Sequence, residues 1–184
     1  MSGGSSMAVV VVGLGGNAGT EAEILARFAR ARDHLAALAT VTGVTASPIY
    51  RTAPQGPVTD QPDFLNAACA LVMTGRLDPS ALVAELLAIE ARLGRDRKTE
   101  TPQGLRPIDL DLLLAGMIAG TFAGPPQVIV PHPRLCQRRF ALAPVCDLLG
   151  PDVVIPGTGK TLGQHLADPL ILAQPLSPAG EFRP

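Results

Sequence analysis

The feature that most constrains the fold is an apolar run that passes through a glycine-rich turn into a helix start signal. The segment VVVVGLGGNAG covers residues 9–19, and its β-branched valines predict a first strand over residues 8–13. A capping box, TEAE, follows at residues 20–23, in which the Thr hydroxyl and the second Glu satisfy each other's free backbone N–H groups. The sequence therefore predicts a strand, a turn and a helix that begins just after Thr20.

The same turn contains G-x-G-x-x-A, a pattern typical of dinucleotide-binding turns. Such a turn needs a helix that begins inside the glycines and an acidic residue about 20 positions later, at the end of the second strand. The helix signal comes later, at Thr20, and the second predicted strand ends at Tyr50 and Arg51 without a carboxylate. A second apparent phosphate-binding sequence, PGTGKT at residues 156–161, has Val154 where its first glycine belongs. We therefore expect the first glycines to serve backbone geometry.

The remaining apolar patterns predict an α+β fold with the ferredoxin-like βαββαβ order and extra short elements at its C-terminal end. The second helix begins at the cap Asp78-Pro79 and ends at Gly94. The predicted strands cover residues 8–13, 41–50, 64–74 and 108–114, with loops over 52–62 and 95–107. The predicted apolar stripes are Ile24, Phe28, Ala31, Leu35 and Leu38 in the first helix and Leu82, Leu86, Ile89 and Leu93 in the second.

Length and charge limit the domain organisation and the partners. A chain of 184 residues suits one ordinary domain and is too short for two full-sized ones. We expect a flexible tail over residues 1–7, a single domain over 8–172 and a loose C-terminal tail over 173–184. The net charge of −1 argues against a general nucleic-acid binder. No apolar run approaches the roughly 20 residues of a membrane span, so we expect neither nucleic acid nor membrane as a partner.

Cysteine usage and the first residues indicate the compartment. The three cysteines have no C-x-x-C spacing, which favours neither a disulfide framework nor a zinc site. The first residues, MSGGSS, lack the apolar region of a signal peptide. We therefore expect a cytoplasmic protein.

Two aspartates occupy alternate positions of the predicted fourth strand. In IDLDL, residues 108–112, a strand directs Asp109 and Asp111 to one face and the leucines to the other. Carboxylates this close repel each other unless a cation lies between them, and Mg²⁺ is commonly bound by one or two carboxylates plus substrate phosphates. The alternative is an edge strand with two solvent-exposed acids, and the spacing alone leaves both open.

Three arginines precede this pair of acids. Arg95 and Arg97 follow Gly94, and Arg106 lies just before the strand. Guanidinium groups bind phosphates bidentately and stabilise the charge that develops in phosphoryl transfer. The alternative is a solvated basic loop after a helix C-terminus, where cations are favoured in any case. Glu90, four residues before Gly94, either orients an arginine or is a surface acid.

A histidine between two prolines is a further candidate. His132 lies in PHP at residues 131–133, where proline restricts the backbone on both sides, and Arg138 follows. A single histidine is more often structural than catalytic. A rigid histidine with an arginine nearby is also a reasonable nucleotide contact.

Aromatic residues near polar positions suggest a site for a flat ligand. Phe64 and Asn66 share one face of the third strand, so an aromatic ring lies beside an amide that can both donate and accept. This pair, with Phe140 after the histidine, suits a heterocycle with an amide-like edge. Core packing remains the default role for phenylalanine.

These motifs together resemble 6-hydroxymethyl-7,8-dihydropterin pyrophosphokinase, an enzyme family of folate biosynthesis. The resemblance is specific because several separate motifs occur in register over residues 9–150. They are GLGGNAG, YRTAPQGPVTDQPDFLNAACAL, IEARLGRDRK, LRPIDLDLLL and VPHPRLCQRRFAL. The family has a ferredoxin-like α+β sandwich, in agreement with the predicted order of elements.

The resemblance implies a transferase that moves the β,γ-diphosphoryl group of ATP to the hydroxymethyl oxygen of the pterin and releases AMP. It implies ATP as co-substrate and two Mg²⁺ ions held by Asp109 and Asp111, which would be catalytic together with Arg95 and Arg97. The implied ATP-binding residues are Glu90, Arg95, Arg97, Arg106, Leu112, His132 and Arg138. The implied pterin-binding residues are Thr52, Ala53, Gln55, Phe64, Asn66, Asp109 and Phe140. With small molecules as its only partners, we expect a monomer.

The chain departs from the family pattern in the loop before D-x-D. The family often has an Arg-Trp pair and a Gly-Pro-Arg run there, whereas TETPQGL at residues 99–105 lacks the extra Arg and the Trp. Gly16 replaces a usual Ser, and Pro133 replaces a common aromatic residue. The altered loop leaves a non-catalytic pterin or nucleotide binder on the same scaffold as an alternative. A ferredoxin-like RNA-binding module would need an aromatic-rich strand that this sequence lacks.

Overall fold

The computed structural model, which describes residues 7–55, 60–98, 100 and 104–182, is organised around an antiparallel sheet. Within these residues the strands are β1 (Met7–Gly16), β2 (Val41–Ala46), β3 (Ile49–Thr52), β4 (Phe64–Thr74), β5 (Asp109–Ala115), β6 (Gly120–Phe122), β7 (Val128–Val130) and β8 (Ser177–Gly180). The α-helices are α1 (Glu21–Ala36), α2 (Pro79–Arg92), α3 (Arg139–Leu149), α4 (Leu162–Leu166) and α5 (Pro169–Leu172). A single 3₁₀ turn, Leu135–Gln137, directly precedes α3.

The main sheet has the strand order β5-β1-β4-β3-β8, with β2 also paired to β4. β1 lies between β4 and β5 and is antiparallel to both. β2 and β3 pair with successive parts of β4 and together act as one broken strand. The α+β class and the ferredoxin-like order predicted from the sequence are confirmed.

Both faces of β1 are covered, which explains its uninterrupted valine run. Val10 and Val12 belong to the core under α1 and α2, whereas Val11 belongs to the core under α3. A strand directs successive side chains to opposite faces, so a strand buried on both sides is apolar at every position. β1 is thus an interior strand of the sheet, covered on both faces between β4 and β5.

The capping signals act as the sequence predicts. The Thr20 hydroxyl accepts a hydrogen bond from the Glu23 N–H at 3.3 Å, and the Glu23 carboxylate accepts from the Thr20 N–H at 2.7 Å. Gly16 comes before this cap, and a Cβ built there would lie 2.9 Å from the Pro107 carbonyl oxygen. Gly16 therefore permits the close approach of the chain before β5, which is a role in backbone geometry.

The single strand predicted over residues 41–50 is wrong, because β2 and β3 are separated at Ser47 and Pro48. Pro48 has no N–H to donate to the sheet. The Ser47 hydroxyl instead accepts from the Ala68 N–H at 2.9 Å and closes the gap. Leu38 lies beyond the end of α1 at Ala36, and it packs against the core from the following turn.

The loose tail predicted over residues 173–184 is also wrong where β8 pairs with β3, with Ser177 opposite Arg51. Beyond it, the Phe182 ring stacks on Phe28 with 6.3 Å between the ring centroids. The prolines of this segment suit an edge strand, where a missing N–H costs nothing in the ladder. At the other end, Met7 is already part of β1, and residues 1–6 lie outside the described residues.

None of the helices in the described ranges is long and apolar enough to cross a bilayer. A second sheet of two strands, β6 and β7, follows β5 along the chain and precedes the loop that contains His132. The His132 N–H donates to the Leu113 carbonyl oxygen at 2.9 Å, which fixes that loop against β5.

Removing the Thr20 cap tests whether this residue stabilises the start of α1, which lies after the glycines and so differs from a dinucleotide-binding turn. We expect Thr20→Ala to lower the free energy of unfolding by about 1 kcal/mol, because one helix N–H loses its acceptor. Thr20→Ser keeps the hydroxyl and should unfold at nearly the wild-type urea concentration. Equal urea midpoints for Thr20→Ala and wild type would show that the cap does not stabilise the helix.

Candidate active site

A cavity of about 280 Å³ lies between the sheet and the start of α3. Residues predicted for a nucleotide site and residues predicted for a flat-ligand site meet there. The predicted site residues that line it are Thr52, Ala53, Gln55, Phe64, Asn66, Arg95, Arg97, Arg106, Asp109, Asp111, His132, Arg138 and Phe140. Further lining residues, which the sequence did not predict as site residues, include Gly13, Gly15, Gln61, Leu113, Arg134 and Ala141.

Glycines of β1 form the floor of this cavity. Gly15 lies opposite Asn66 of β4 on one side and Asp109 of β5 on the other. A Cβ built at Gly15 would lie 3.6 Å from the Asn66 Oδ1 and 3.8 Å from the Asp109 Cβ. Because Gly15 has no side chain, the space between the amide and the carboxylate stays open.

The Asp109 carboxylate is held by arginines from two directions. Arg95 Nη1 donates a short hydrogen bond to Asp109 Oδ1, and Arg106 Nη1 donates to Oδ2 at 2.8 Å. Arg97 Nη2 lies 3.7 Å from Oδ1. Burial alone would raise the pKa of Asp109, but the attraction of Arg95 and Arg106 holds that pKa below its ordinary value. Asp109 is therefore a partly buried, ionised carboxylate whose charge is balanced by arginines.

Glu90 fixes two of these arginines from behind the cavity. Its side chain is 2 % exposed, and it accepts hydrogen bonds from Arg95 Nη1 at 2.9 Å and from Arg97 Nη2 at 2.7 Å. It also accepts from the Leu110 N–H at 2.7 Å, which ties the end of α2 to the start of β5. Of the two alternatives for Glu90, the orienting acid is correct. Glu90 itself does not line the cavity, although it was expected to contact ATP.

Asp111 lies on the same face as Asp109 and lines the same cavity. Burial and the neighbouring Asp109 raise the pKa of Asp111, and His132 and Arg138 oppose this increase. Burial lowers the pKa of His132, against the attraction of Asp111. β5 is an edge strand of the sheet, but the alternative of two solvent-exposed acids is wrong, because both carboxylates line a cavity with cationic side chains.

The donor set at the two aspartates fits Mg²⁺. Among the described residues, no group of three or more His, Cys, Asp or Glu side chains could hold a metal ion. Asp109 and Asp111 thus offer two carboxylates, which is what Mg²⁺ uses when water and substrate phosphates complete its coordination. A zinc site would need more protein ligands than this pair supplies.

The other half of the cavity is aromatic and amide-bearing. Asn66 is 5 % exposed, and its Nδ2 donates to the Thr52 hydroxyl at 2.9 Å. The Arg106 guanidinium lies 5.7 Å from the centre of the Phe64 ring, and the Arg138 guanidinium lies 5.4 Å from that of Phe140. Each aromatic ring therefore adjoins an arginine, so the flat-ligand part of the cavity is continuous with the cationic part.

The assignment of Leu112 to ATP stays a prediction, and Asn17 is a residue that the sequence-based prediction missed. The Leu112 side chain packs into the core under α1 and α2, because it alternates with Asp111, and it does not line the cavity. Asn17 was not singled out, yet it is fully buried. Its Oδ1 accepts from the Arg106 N–H at 3.0 Å, and its Nδ2 donates to Gln61 Oε1 at 3.0 Å. The sequence signal that could have identified Asn17 was a lone amide side chain within the glycine-rich motif.

The altered loop before D-x-D, residues 99–105, lies partly outside the described residues. Residues 99 and 101–103 belong to that part. The Glu100 carboxylate, which is described, accepts from Arg95 Nε at 3.0 Å. This contact links the loop to the same arginine that holds Asp109.

A sequence model of the family described as 7,8-dihydro-6-hydroxymethylpterin-pyrophosphokinase (HPPK) matches residues 11–150. These residues include every cavity-lining side chain named above. The chain belongs to this family. The enzyme class predicted from the sequence, an ATP-dependent diphosphokinase of folate synthesis, is thereby confirmed.

Two similar proteins come from bacteria. A 2-amino-4-hydroxy-6-hydroxymethyldihydropteridine pyrophosphokinase of Methylorubrum extorquens is 40% identical over 156 residues, which cover 85% of this chain and 90% of that protein. The protein of the same name from Synechocystis is 37% identical over 154 residues, or 84% of this chain and 72% of that one.

Solved structures with the same fold include HPPK-DHPS of Plasmodium falciparum. The wild-type protein with pteroate superposes with a TM-score of 0.64 at 13% identity, over 88% of this chain and 44% of that one. The A437G variant gives a TM-score of 0.65 at 12% identity, over 89% and 46%. The chain thus spans less than half the length of these structures, and at such identity the likeness concerns the fold alone.

Neutralising Glu90 tests the charge arrangement. We expect Glu90→Gln to lower the free energy of unfolding by about 2 kcal/mol, because the amide cannot keep the charge-assisted hydrogen bonds from both Arg95 and Arg97. Glu85 lies exposed on the same helix, and Glu85→Gln should change stability by less than about 0.5 kcal/mol. Urea unfolding measures both variants. A Glu90→Gln protein as stable as the Glu85→Gln control would contradict the arrangement.

Proposed function

We propose that this cavity binds ATP and 6-hydroxymethyl-7,8-dihydropterin side by side and transfers the β,γ-diphosphoryl group between them with the aid of Mg²⁺. The observation that supports this most directly is the Asp109 carboxylate, which lies between two arginines and next to Asp111 at the boundary of the aromatic half. The carboxylates could bind metal ions and the arginines could bind phosphates, which suits a reaction of a metal-bound nucleotide.

The arginines would bind the triphosphate. Arg95, Arg97 and Arg106 approach Asp109 from the segment before β5, and Arg138 lines the cavity from the start of α3. Guanidinium groups placed around a phosphate chain neutralise it and fix its direction. Because burial lowers the pKa of His132, this ring would be neutral near pH 7 and would act as a hydrogen-bonding group.

Asp109 and Asp111 would hold the two Mg²⁺ ions of the proposal. When bound, Mg²⁺ supplies charge neutralisation of the phosphates and orientation of the reacting oxygens. Within the described part of the chain, Asp111 receives no arginine hydrogen bond of the kind that Asp109 receives, and its raised pKa reflects an unfavourable negative charge. A divalent cation would relieve the repulsion between the two carboxylates.

The aromatic half would bind the pterin. Phe64 and Phe140 offer ring faces, and the Asn66 amide, fixed by Thr52, offers donors and acceptors to the edge of a heterocycle. Ala53 and Gln55 line the same wall after β3. This arrangement would direct the hydroxymethyl group of the pterin towards Asp109.

The reaction would be an in-line displacement at the β-phosphorus of ATP. The hydroxymethyl oxygen forms the new bond, the bond from the β-phosphorus to the α,β-bridging oxygen breaks, and AMP leaves while the hydroxyl proton passes to solvent. Positioning and charge neutralisation account for most of such catalysis, so no strong general base is needed. Monomeric state and cytoplasmic location remain predictions, the latter in keeping with three free cysteines.

The nucleotide product tests the proposal. With ATP, Mg²⁺ and 6-hydroxymethyl-7,8-dihydropterin, we expect one AMP for each pterin diphosphate, measured by chromatography. Omission of the pterin should abolish AMP formation, because the acceptor oxygen is missing. ADP as the product would contradict diphosphoryl transfer. No AMP above the enzyme-free control would favour the non-catalytic binder.

Removing the Asp111 charge separates chemistry from folding. We expect Asp111→Asn to lower turnover by about 10²-fold or more, because a metal-binding oxygen is lost at the developing charge. Thermal stability without metal should be unchanged or higher, since a buried repulsion disappears. The exposed Asp152→Asn is the control and should retain activity. Near-normal turnover of Asp111→Asn would disprove the metal assignment.

A further inference from the structure

The start of α3 bears two cavity residues but lacks a cap of its own. Arg138 occupies the N-cap position and makes no side-chain capping bond, because a guanidinium has no acceptor. The other α-helices of the described residues all have a side-chain cap. Those caps are Thr20, Asp78, Thr161 and Asp168. A free helix N–H next to Arg138 therefore needs an acceptor from elsewhere in the chain.

Gln174 supplies that acceptor from the C-terminal segment. Its Oε1 accepts from the Arg139 N–H at 2.9 Å, and its Nε2 donates to the Gln137 carbonyl oxygen at 2.9 Å. One carboxamide is thus bonded to the backbone on both sides of Arg138. The two bonds fix the direction in which the Arg138 side chain leaves the backbone.

The segment around Gln174 is itself held on both sides. Arg139 Nη1 donates to the carbonyl oxygens of Leu172 and Gln174, each at 2.9 Å. Ile171 of α5 is buried in the core under α3, and β8 pairs with β3 just after the segment. Gln55, a cavity-lining residue, lies with its Nε2 at 3.4 Å from Gln174 Oε1. The carboxamide therefore connects two walls of the cavity.

We infer that Gln174 is a positioning residue for diphosphoryl transfer, which caps α3 in place of Arg138 and so directs the Arg138 guanidinium into the cavity. The inference rests on the proposed function, because Arg138 is there assigned to the triphosphate. Gln174 lies beyond residues 11–150, so the family match does not assign it. The Arg138 guanidinium cannot accept from the helix N–H groups, so the capping acceptor comes from a residue 36 positions later in the sequence.

Nucleotide affinity in a double-mutant cycle tests this role. Titration with a non-hydrolysable ATP analogue and Mg²⁺ should show about tenfold weaker binding for Gln174→Ala, the factor expected from one or two net hydrogen bonds. In an Arg138→Ala background the same change should have no further effect, because Gln174 acts through Arg138. The KM for ATP should rise by a similar factor while kcat changes less.

Gln164 offers a matched control, since its Oε1 accepts from the Thr161 N–H at 2.9 Å at the start of α4, away from the cavity. Gln164→Ala should lose comparable thermal stability and keep wild-type nucleotide affinity. Should Gln174→Ala not fold, Gln174→Glu keeps an acceptor for Arg139 but replaces the donor to Gln137 with a charged oxygen. Its loss of affinity should then be smaller in the Arg138→Ala background, whereas charge repulsion of the phosphates alone would persist there.

The outcomes separate this inference from the proposed function. Unchanged affinity in the Gln174 variants, or an equal loss in the Arg138→Ala background, overturns the inference while wild-type AMP formation still supports diphosphoryl transfer. A wild-type protein that binds the analogue but forms no AMP overturns the proposed reaction alone. A wild-type protein that does not bind the analogue overturns both.

Discussion

The contact on which the rest of the site depends is the buried pairing of Arg95 with Glu90 and Asp109. Buried charges are costly unless each finds a well-placed partner, and here Glu90 also receives the Leu110 N–H while Asp109 receives Arg106. The end of α2, the start of β5 and the loop before it are joined by this one set of bonds. Without it, Arg95, Arg97 and Asp109 would lose the partners that fix their direction in the cavity.

This arrangement also suggests how substrates are accommodated. The arginines that neutralise Asp109 are the side chains proposed to bind phosphate, and Asp109 is proposed to bind a cation. ATP with Mg²⁺ brings anionic phosphates and a cation together. The arginines can then exchange the Asp109 carboxylate for phosphate, and Asp109 can exchange the arginines for Mg²⁺. The local charge balance is kept throughout, which keeps the cost of rearrangement low in a partly buried site.

Much of this site follows from local sequence rules. Strand alternation predicted that Asp109 and Asp111 share a face, and the capping box at Thr20 was enough to exclude a dinucleotide turn. Local rules did not predict contacts between residues that are distant in the sequence. In sequence Asn17 has the features of a turn residue, and only the fold brings the Arg106 N–H to its side chain. Gln174 lies in a proline-rich segment, and no local pattern predicts that this segment leads into a strand paired with β3. Leu112 was assigned by resemblance, and alternation sends its side chain into the core.

Linkage between Mg²⁺ and nucleotide binding tests the central claim most directly. Because Asp109 is already neutralised by arginines, calorimetric titration should show weak Mg²⁺ binding to the free protein. Mg²⁺ should bind much more tightly once a non-hydrolysable ATP analogue has drawn the arginines to its phosphates. Equal Mg²⁺ affinity with and without the analogue would contradict the exchange of partners at Asp109.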